Sequence, residues 1–260
     1  MRTLVIGDVC GSIGCRYLSK LLPRLKNKYN IDFTVVNGEN SADGNGITPE
    51  SAESLFLAGA DVITGGNHSL RRREVHSLLD ENPFILRPDN IPAEYGKGYC
   101  IFDMGRTVVA VINLLGRAHL DTLKAENPFN AADILVERAK KDGATHIFVD
   151  FHADVTSEKR ALGIYLDGKV TAFFGTHTHV LTADLQILPQ GTGYITDIGM
   201  TGPKDSVLGV ESSIIINRLK NGDTEKFRLA QGNCMLCGCV FESDSSGKTV
   251  AVEPIYFEEE

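Results

Sequence analysis

Along the first two thirds of the chain, short runs of β-branched and other apolar residues alternate with longer stretches whose apolar positions recur at helical spacing. Thr3–Gly7 reads as a strand and is followed by a helix from about Ile13 to Tyr29. There Leu18, Leu21, Leu22 and Leu25 fall at i, i+3, i+4 and i+7 and form one apolar stripe. Phe33–Asn37 is the next strand. Thr48-Pro49-Glu50 opens a second helix, with the Thr48 hydroxyl capping a free amide and Pro49 at the first helical position, where no amide is needed. Asp61–Thr64 reads as a strand, with a helix after it through Val75, Leu78 and Leu79. Val108–Asn113 is a strand, Asn130–Lys141 a helix, and Thr145–Phe151 and Val170–Gly175 are strands.

The last third changes character. Ile187–Leu188, Tyr194–Thr196, Ser213–Asn217, Phe227–Leu229 and Val250–Phe257 read as strands joined by turns such as Asn221-Gly222. No repeat, low-complexity tract or linker interrupts the pattern, which predicts one α/β domain over residues 1–260, a layered sheet core with helices outside.

The net charge of −8 argues against the basic face that bulk nucleic-acid binding needs. The one dense basic run, Arg71-Arg72-Arg73, is followed at once by Glu74 and reads as a solvated helix start. The six cysteines have no disulfide-framework spacing, and the apolar positions before Asp8 are too few for a signal peptide. Val108–Leu115, the longest apolar run, is far too short to cross a bilayer. The expectation is a cytoplasmic protein with reduced thiols and no membrane partner.

The informative pattern is where the unusual polar residues fall. Asp8 follows Leu4-Val5-Ile6-Gly7, Glu39 and Asn40 follow Val35-Val36-Asn37, and Asn67 with His68 follows Val62-Ile63-Thr64. His152 follows Ile147-Phe148-Val149, and His177 with His179 follows Ala172-Phe173-Phe174. Ligands of open α/β sheets bind at the carboxyl ends of strands, so five segments would deliver these groups to one rim. Two carboxylates, three imidazoles and two amides are hard oxygen and borderline nitrogen donors, suited to Fe, Mn or Zn. His177 and His179, two apart, would face the same way in extended backbone. One ion would leave several donors idle, whereas two ions about 3.5–4 Å apart that share a carboxylate would use them all. Two such cations keep the site positive against Asp8 and Glu39, as binding of a phosphodiester requires.

These residues carry a resemblance. Gly7-Asp8-Val9 with Gly11, Asn37-Gly38-Glu39-Asn40, Gly66-Asn67-His68, Asp150-Phe151-His152-Ala153 and Thr156-Ser157-Glu158-Lys159 are similar to the YmdB-like branch of the calcineurin-like metallophosphoesterases. So are Gly175-Thr176-His177-Thr178-His179-Val180 and Thr196-Asp197-Ile198-Gly199-Met200-Thr201-Gly202-Pro203. The resemblance implies a four-layer α-β-β-α sandwich, two mixed sheets flanked by helices. It also implies a binuclear centre, iron first with manganese or zinc as alternatives, and phosphodiesterase action on 2′,3′-cyclic nucleotides. Asp8, Glu39, Asn40 and His179 would hold one ion, and Glu39, Asn67, His152 and His177 the other, with Glu39 bridging. A metal-bridging hydroxide would attack phosphorus and His68 would protonate the leaving oxygen. A small-molecule diester is the expected partner, and the resemblance leans towards a homo-oligomer. The alternatives are a phosphomonoesterase or nucleotidase at the same centre, or a regulatory protein that senses a nucleotide without turnover.

Simpler roles compete for some of these residues. A dinucleotide site around Gly7, Gly11 and Gly14 is rejected, because the glycine spacing is wrong and Asp8 would oppose a pyrophosphate. Cys10 stands where the wider superfamily has histidine and reads as a buried bystander. Cys234, Cys237 and Cys239 lack a nearby fourth zinc ligand and read as reduced strand cysteines. His76 and His146 look ordinary. His119, Arg117, Thr156-Ser157 and Thr201-Gly202-Pro203 are candidates for lining the pocket.

Overall fold

Alternation along each strand decides the architecture. In a computed structural model that describes residues 1–120 and 123–259, β1 (Arg2–Ile6) sends Leu4 and Ile6 to one face and Val5 to the other. β3 (Phe33–Asn37) and β4 (Val62–Thr64) do the same, with Val36 and Ile63 on the first face and Val35 and Val62 on the second. Strands buried on both faces read as continuous apolar runs, which is why these were legible. The first face is covered by α1 (Gly11–Tyr29) and α2 (Pro49–Ala58), with α3 (His76–Glu81) beside them. Leu18 and Leu22 of α1 are fully buried, which contributes about 1.5–3 kcal/mol each.

The second face meets another sheet. Val109 and Val111 of β6 (Val108–Leu115), Phe148 of β7 (His146–His152) and Phe174 of β8 (Ala172–Thr176) pack against Val5, Phe33, Val35 and Val62. The alternate residues Ala110, Ile112, Val149 and Phe173 point outward to α4 (Pro128–Lys141) and α5 (Thr156–Tyr165). Helices, sheet, sheet and helices thus form the expected four-layer sandwich.

The first sheet runs β2 (Asp8–Val9), β11 (Met200–Pro203), β12 (Cys234–Ser243), β1, β3, β4, and β13 (Thr249–Glu258) pairs with β12. The second runs β5 (Tyr99–Asp103), β6, β7, β8, β10 (Gly193–Ile195), β9 (Gln186–Ile187). β1, β3 and β4 are parallel, as are β6, β7, β8 and β10, so their carboxyl ends share one rim.

Several elements depart from the sequence reading, and β5 and β11 were not read as strands. Ser213–Asn217 is not a strand but lies in α6 (Ser212–Asn221), where the β-branched Ile214-Ile215-Ile216 run misleads: Ile214 is buried and Ile216 exposed, as helical spacing dictates. The Asn221-Gly222 turn is the end of that helix, with Gly222 at φ 78° as its left-handed cap. Phe227–Leu229 is loop, joined to the fold by one isolated bridge from Leu229 to Val210. α5, unread in the sequence, hides its period because the charged Lys159 occupies its buried face with Leu162 and Gly163.

Thr48 and Pro49 cap and open α2 as expected, the Thr48 hydroxyl accepting from the Ser51 amide at 3.2 Å. All six cysteines are free and buried. Burial pushes the Cys237 thiol up to about 11. No helix among the described residues is long and apolar enough to cross a membrane.

Candidate metal centre at the strand ends

Each residue singled out at a strand end reaches the common rim. His152 is the last residue of β7 and Asp8 the first of β2; Glu39, Asn67 and His177 lie one to three residues beyond β3, β4 and β8. His152 Nε2 lies 2.9 Å from His177 Nδ1 and 3.1 Å from both Asn67 Oδ1 and Glu39 Oε2. Two ligand atoms at right angles, each about 2.1 Å from a shared cation, stand about 3 Å apart, so these spacings are those of a coordination shell. Glu39 is 1% exposed, yet neither carboxylate oxygen has a hydrogen-bond partner. His68 Nδ1 and His152 Nε2 come within 2.9 and 3.1 Å of its oxygens, but off the direction a hydrogen bond requires. Buried carboxylate oxygens surrounded by misaligned nitrogens fit a cation better than any contact the chain itself makes. Among the described residues, Glu39, His152 and His177 are the one acid and imidazole group with metal-ligand spacing.

The sequence adapts locally to this crowding. A Cβ on Gly66 would stand 1.6 Å from Glu39 Oε2 and 2.4 Å from the His152 ring, so only glycine fits there. Beneath His152, the Thr176 hydroxyl donates to Asp150 Oδ1 at 2.7 Å and so must accept at its 2.9 Å contact with His152 Nδ1. That places the imidazole proton on Nδ1 and leaves the Nε2 lone pair for the centre. Asn37 Nδ2 and the Thr64 hydroxyl donate to the other Asp150 oxygen. Burial pushes the Asp150 carboxyl up to about 6 against these donors and His152.

The second cluster is looser. Asp8 Oδ2 accepts the His177 amide at 3.2 Å, while Oδ1 stands 3.5 Å from both His179 Nε2 and Asn40 Nδ2. Asn40 Nδ2 is 3.4 Å from His179 Nε2, and its Oδ1 is 3.1 Å from His68 Nδ1; a half-turn of the amide exchanges the two ends. His179 Nδ1 donates to the Leu208 carbonyl at 3.1 Å, which turns Nε2 towards Asp8. Cys10 Sγ lies 3.7 Å from that same Nδ1, outside the cluster of donor atoms.

His177 and His179 are not in extended backbone: their φ angles are 100° and 63°, and they point into different clusters. Lys159 and Asp197, both wholly buried and 2.6 Å apart, hold this strained loop. Lys159 donates to the Thr176 carbonyl at 2.8 Å, and Asp197 accepts the Thr178 amide at 3.0 Å. The Lys159 and Asp197 segments therefore support the histidines rather than line a pocket. Thr156 and Ser157 are exposed on α5, Thr201–Pro203 is buried in β11, Arg117 borders a separate cavity with Asp89 and Glu126, and exposed His119 pairs with Asp154 at 2.7 Å.

The charges balance internally. Burial raises the Asp8 and Glu39 carboxyls, but neighbouring imidazoles outweigh it and hold both well below the usual range. Burial opposes protonation of His152 and His179, and the carboxylates, with Cys10 at His179, prevail and push both up. Burial and the adjacent His152 press His177 down to about 4.

A cleft of about 240 Å³ opens above His68, His177 and His179. Its outer wall comes from Leu208–Val210 and Phe227–Leu229, which sequence reasoning missed. These residues carry no motif. The support under His152 did carry a signal, a carboxylate inside the apolar run Ile147–Phe151.

A family model described as YmdB-like protein matches residues 4–255. A 2′,3′-cyclic-nucleotide 2′-phosphodiesterase of Bacillus subtilis (strain 168) is 46% identical over 257 residues, 98% of this chain and 96% of that protein. A hypothetical protein from Thermus thermophilus superposes with a TM-score of 0.92 at 38% identity, covering 100% of both chains. A novel phosphatase of Mycoplasma pneumoniae gives 0.94 at 35%, covering 99% of this chain and 93% of that one.

Proposed function

The chain belongs to the family of YmdB-like proteins and is a phosphoesterase, and on that premise we propose that it hydrolyses phosphodiesters, 2′,3′-cyclic nucleotides foremost, at a centre of two metal ions. The observation that carries the reading is Glu39, buried with both oxygens unbonded and ringed by donors from both sheets. Glu39, Asn67, His152 and His177 would hold one ion; Asp8, Asn40 and His179, with Glu39 shared, would hold the other. The nitrogen and oxygen donor set, free of thiolate, suits iron, manganese or zinc. Bound there, the ions would supply Lewis acidity to the phosphate oxygens and acidify water.

The rest falls to the chain. Asp8 and Glu39 stay ionised, and the Thr176 hydroxyl and Leu208 carbonyl fix the ligating edge of two imidazoles. His68 borders the cleft, and with the Asn40 amide turned so that its NH2 faces His68 Nδ1, Nε2 would carry the proton for the departing oxygen.

Elemental analysis of anaerobically purified protein, followed by turnover of 2′,3′-cyclic AMP and of the resulting monoester on the same sample, tests this reading. Two equivalents of metal per chain and turnover that stops at the monoester are expected. His68→Ala should retain its metal and lose roughly 10²–10⁴-fold in kcat. Metal loss in that variant would make His68 a ligand instead of a donor, and diester hydrolysis by metal-free protein would overturn the centre.

A further inference from the structure

The cleft has two chemically different ends. Its floor is the polar cluster of His68, His177, His179 and Asn40, and its wall carries Leu208, Phe227 and Leu229. Leu208 is 49% and Phe227 50% exposed, an unusual placement for large apolar side chains beside so polar a floor. The wall is continuous with the metal rim: a Cβ on Gly11 would meet Leu229 Cδ2 at 2.3 Å, and one on Gly209 would meet Cys10 at 3.4 Å.

The wall is also held in place. The Arg218 guanidinium lies over the Phe227 ring at 4.1 Å and donates to the Glu225 carbonyl at 2.8 Å, while Arg218 itself does not border the cleft. Arg218 thus covers one face of the ring, and half-exposed Phe227 borders the cleft. Arg228 does border the cleft, but its guanidinium is committed to Glu211 at 2.9 Å and to Glu225, so its charge is not free for a phosphate. An aromatic side chain in the wall of a cleft with a polar floor suits a flat π-system joined to a phosphoryl group.

We propose that Phe227, flanked by Leu208 and Leu229, is the platform on which the base of a nucleotide substrate stacks, making the cleft selective for diesters that carry a nucleobase. This rests on the phosphodiesterase reading above and adds the part of the substrate that the metal centre does not touch. Aromatic stacking is sequence-tolerant because every base has a π-face, so purine and pyrimidine substrates should both use it.

The chain has no tryptophan, so Phe227→Trp introduces a single fluorophore at the platform. Titration of metal-replete Phe227→Trp with adenosine 3′-monophosphate should quench its emission, and glycerol cyclic phosphate or inorganic phosphate should not. In parallel, Phe227→Ala should raise KM for 2′,3′-cyclic AMP roughly 5- to 100-fold. Its KM for glycerol cyclic phosphate should change far less, and Phe227→Trp should keep the low KM. Equal losses on both substrates, or nucleotide turnover with neither quenching nor a change in KM, would overturn the platform and leave the hydrolase standing. Quenching by the nucleotide without hydrolysis of any diester would support the platform and overturn the hydrolase reading instead.

Discussion

The two halves of the rim are built differently. Around His152 the donor atoms of Glu39, Asn67 and His177 stand 2.9–3.1 Å away, whereas Asp8, Asn40 and His179 are separated by 3.4–3.5 Å. The tight half rests on side chains planted in strands: Asp150 and His152 in β7, Thr176 in β8 and Asn37 in β3, joined by buried hydrogen bonds. In the loose half Asp8 opens β2, but Asn40 and His179 lie in loops, with His179 in a left-handed conformation and steered by the Leu208 carbonyl. A shell fixed by strands is preorganised before any ion arrives, and one built from loops closes on binding. The tight half should fill first and hold its ion longer.

In the proposed centre Glu39 is shared by both halves, so its replacement should do the most damage. Glu39→Gln removes the shared charge and is expected to abolish both metals and lower diester turnover on the order of 10³-fold or more. His179→Ala should strip the loose half alone. Metal counts on the two variants decide the matter: an ion retained in Glu39→Gln would mean that the carboxylate does not bridge.

A smaller effect is expected one layer down. Thr176→Val deletes the hydroxyl that receives the His152 proton and donates to Asp150, with almost no change in volume. Removing such support from a metal-ligating histidine costs about 10–100-fold in affinity. Calorimetric metal titration should show the tight step weakened and the other step unchanged. Equal weakening of both steps would show that the halves are not independently supported.

The same contrast governs what was legible in the sequence. Strands such as β1, β3 and β7, buried on both faces, announce themselves as apolar runs, and the polar residues ending them stand out for that reason. Where burial depends on partners rather than on apolarity, the pattern is silent. α5 buries Lys159 because Asp197 lies opposite it, and β12 places Gly238 where the neighbouring backbone leaves no room for a side chain: a Cβ there would lie 2.3 Å from the Val5 carbonyl oxygen. The Ile214–Ile216 run has strand composition yet packs at helical spacing, which composition alone does not reveal. The cleft wall was the least legible, because Leu208 and Phe227 owe their place to two loops meeting in space.

The finest test of the two halves is the response of stability to pH. Burial disfavours the charged imidazole at His152 and His179, but Glu39 at His152, and Cys10 with Asp8 at His179, outweigh it and hold both above the usual 6.5. A raised imidazole gives stability that is complete below 6.5 and is lost as pH rises through the folded value. Asp8 and Glu39, held below the usual carboxylate range, give stability that is present above about pH 4 and lost as pH falls through their folded values. Through these groups metal-free protein should soften as pH rises above 6.5, whereas His177, pressed down to about 4, works the other way and costs stability as pH falls below 6.5. Cations replace these protons, so bound metal should stabilise more as proton competition fades. Melting temperatures of chelator-treated and metal-replete protein from pH 5 to 9 should diverge upward, by about 2–4 °C for each kcal/mol of difference. In His179→Ala the divergence should shrink to the share that His152 supplies. Parallel curves in the unaltered protein would mean that the protons and the metals do not compete for the same lone pairs.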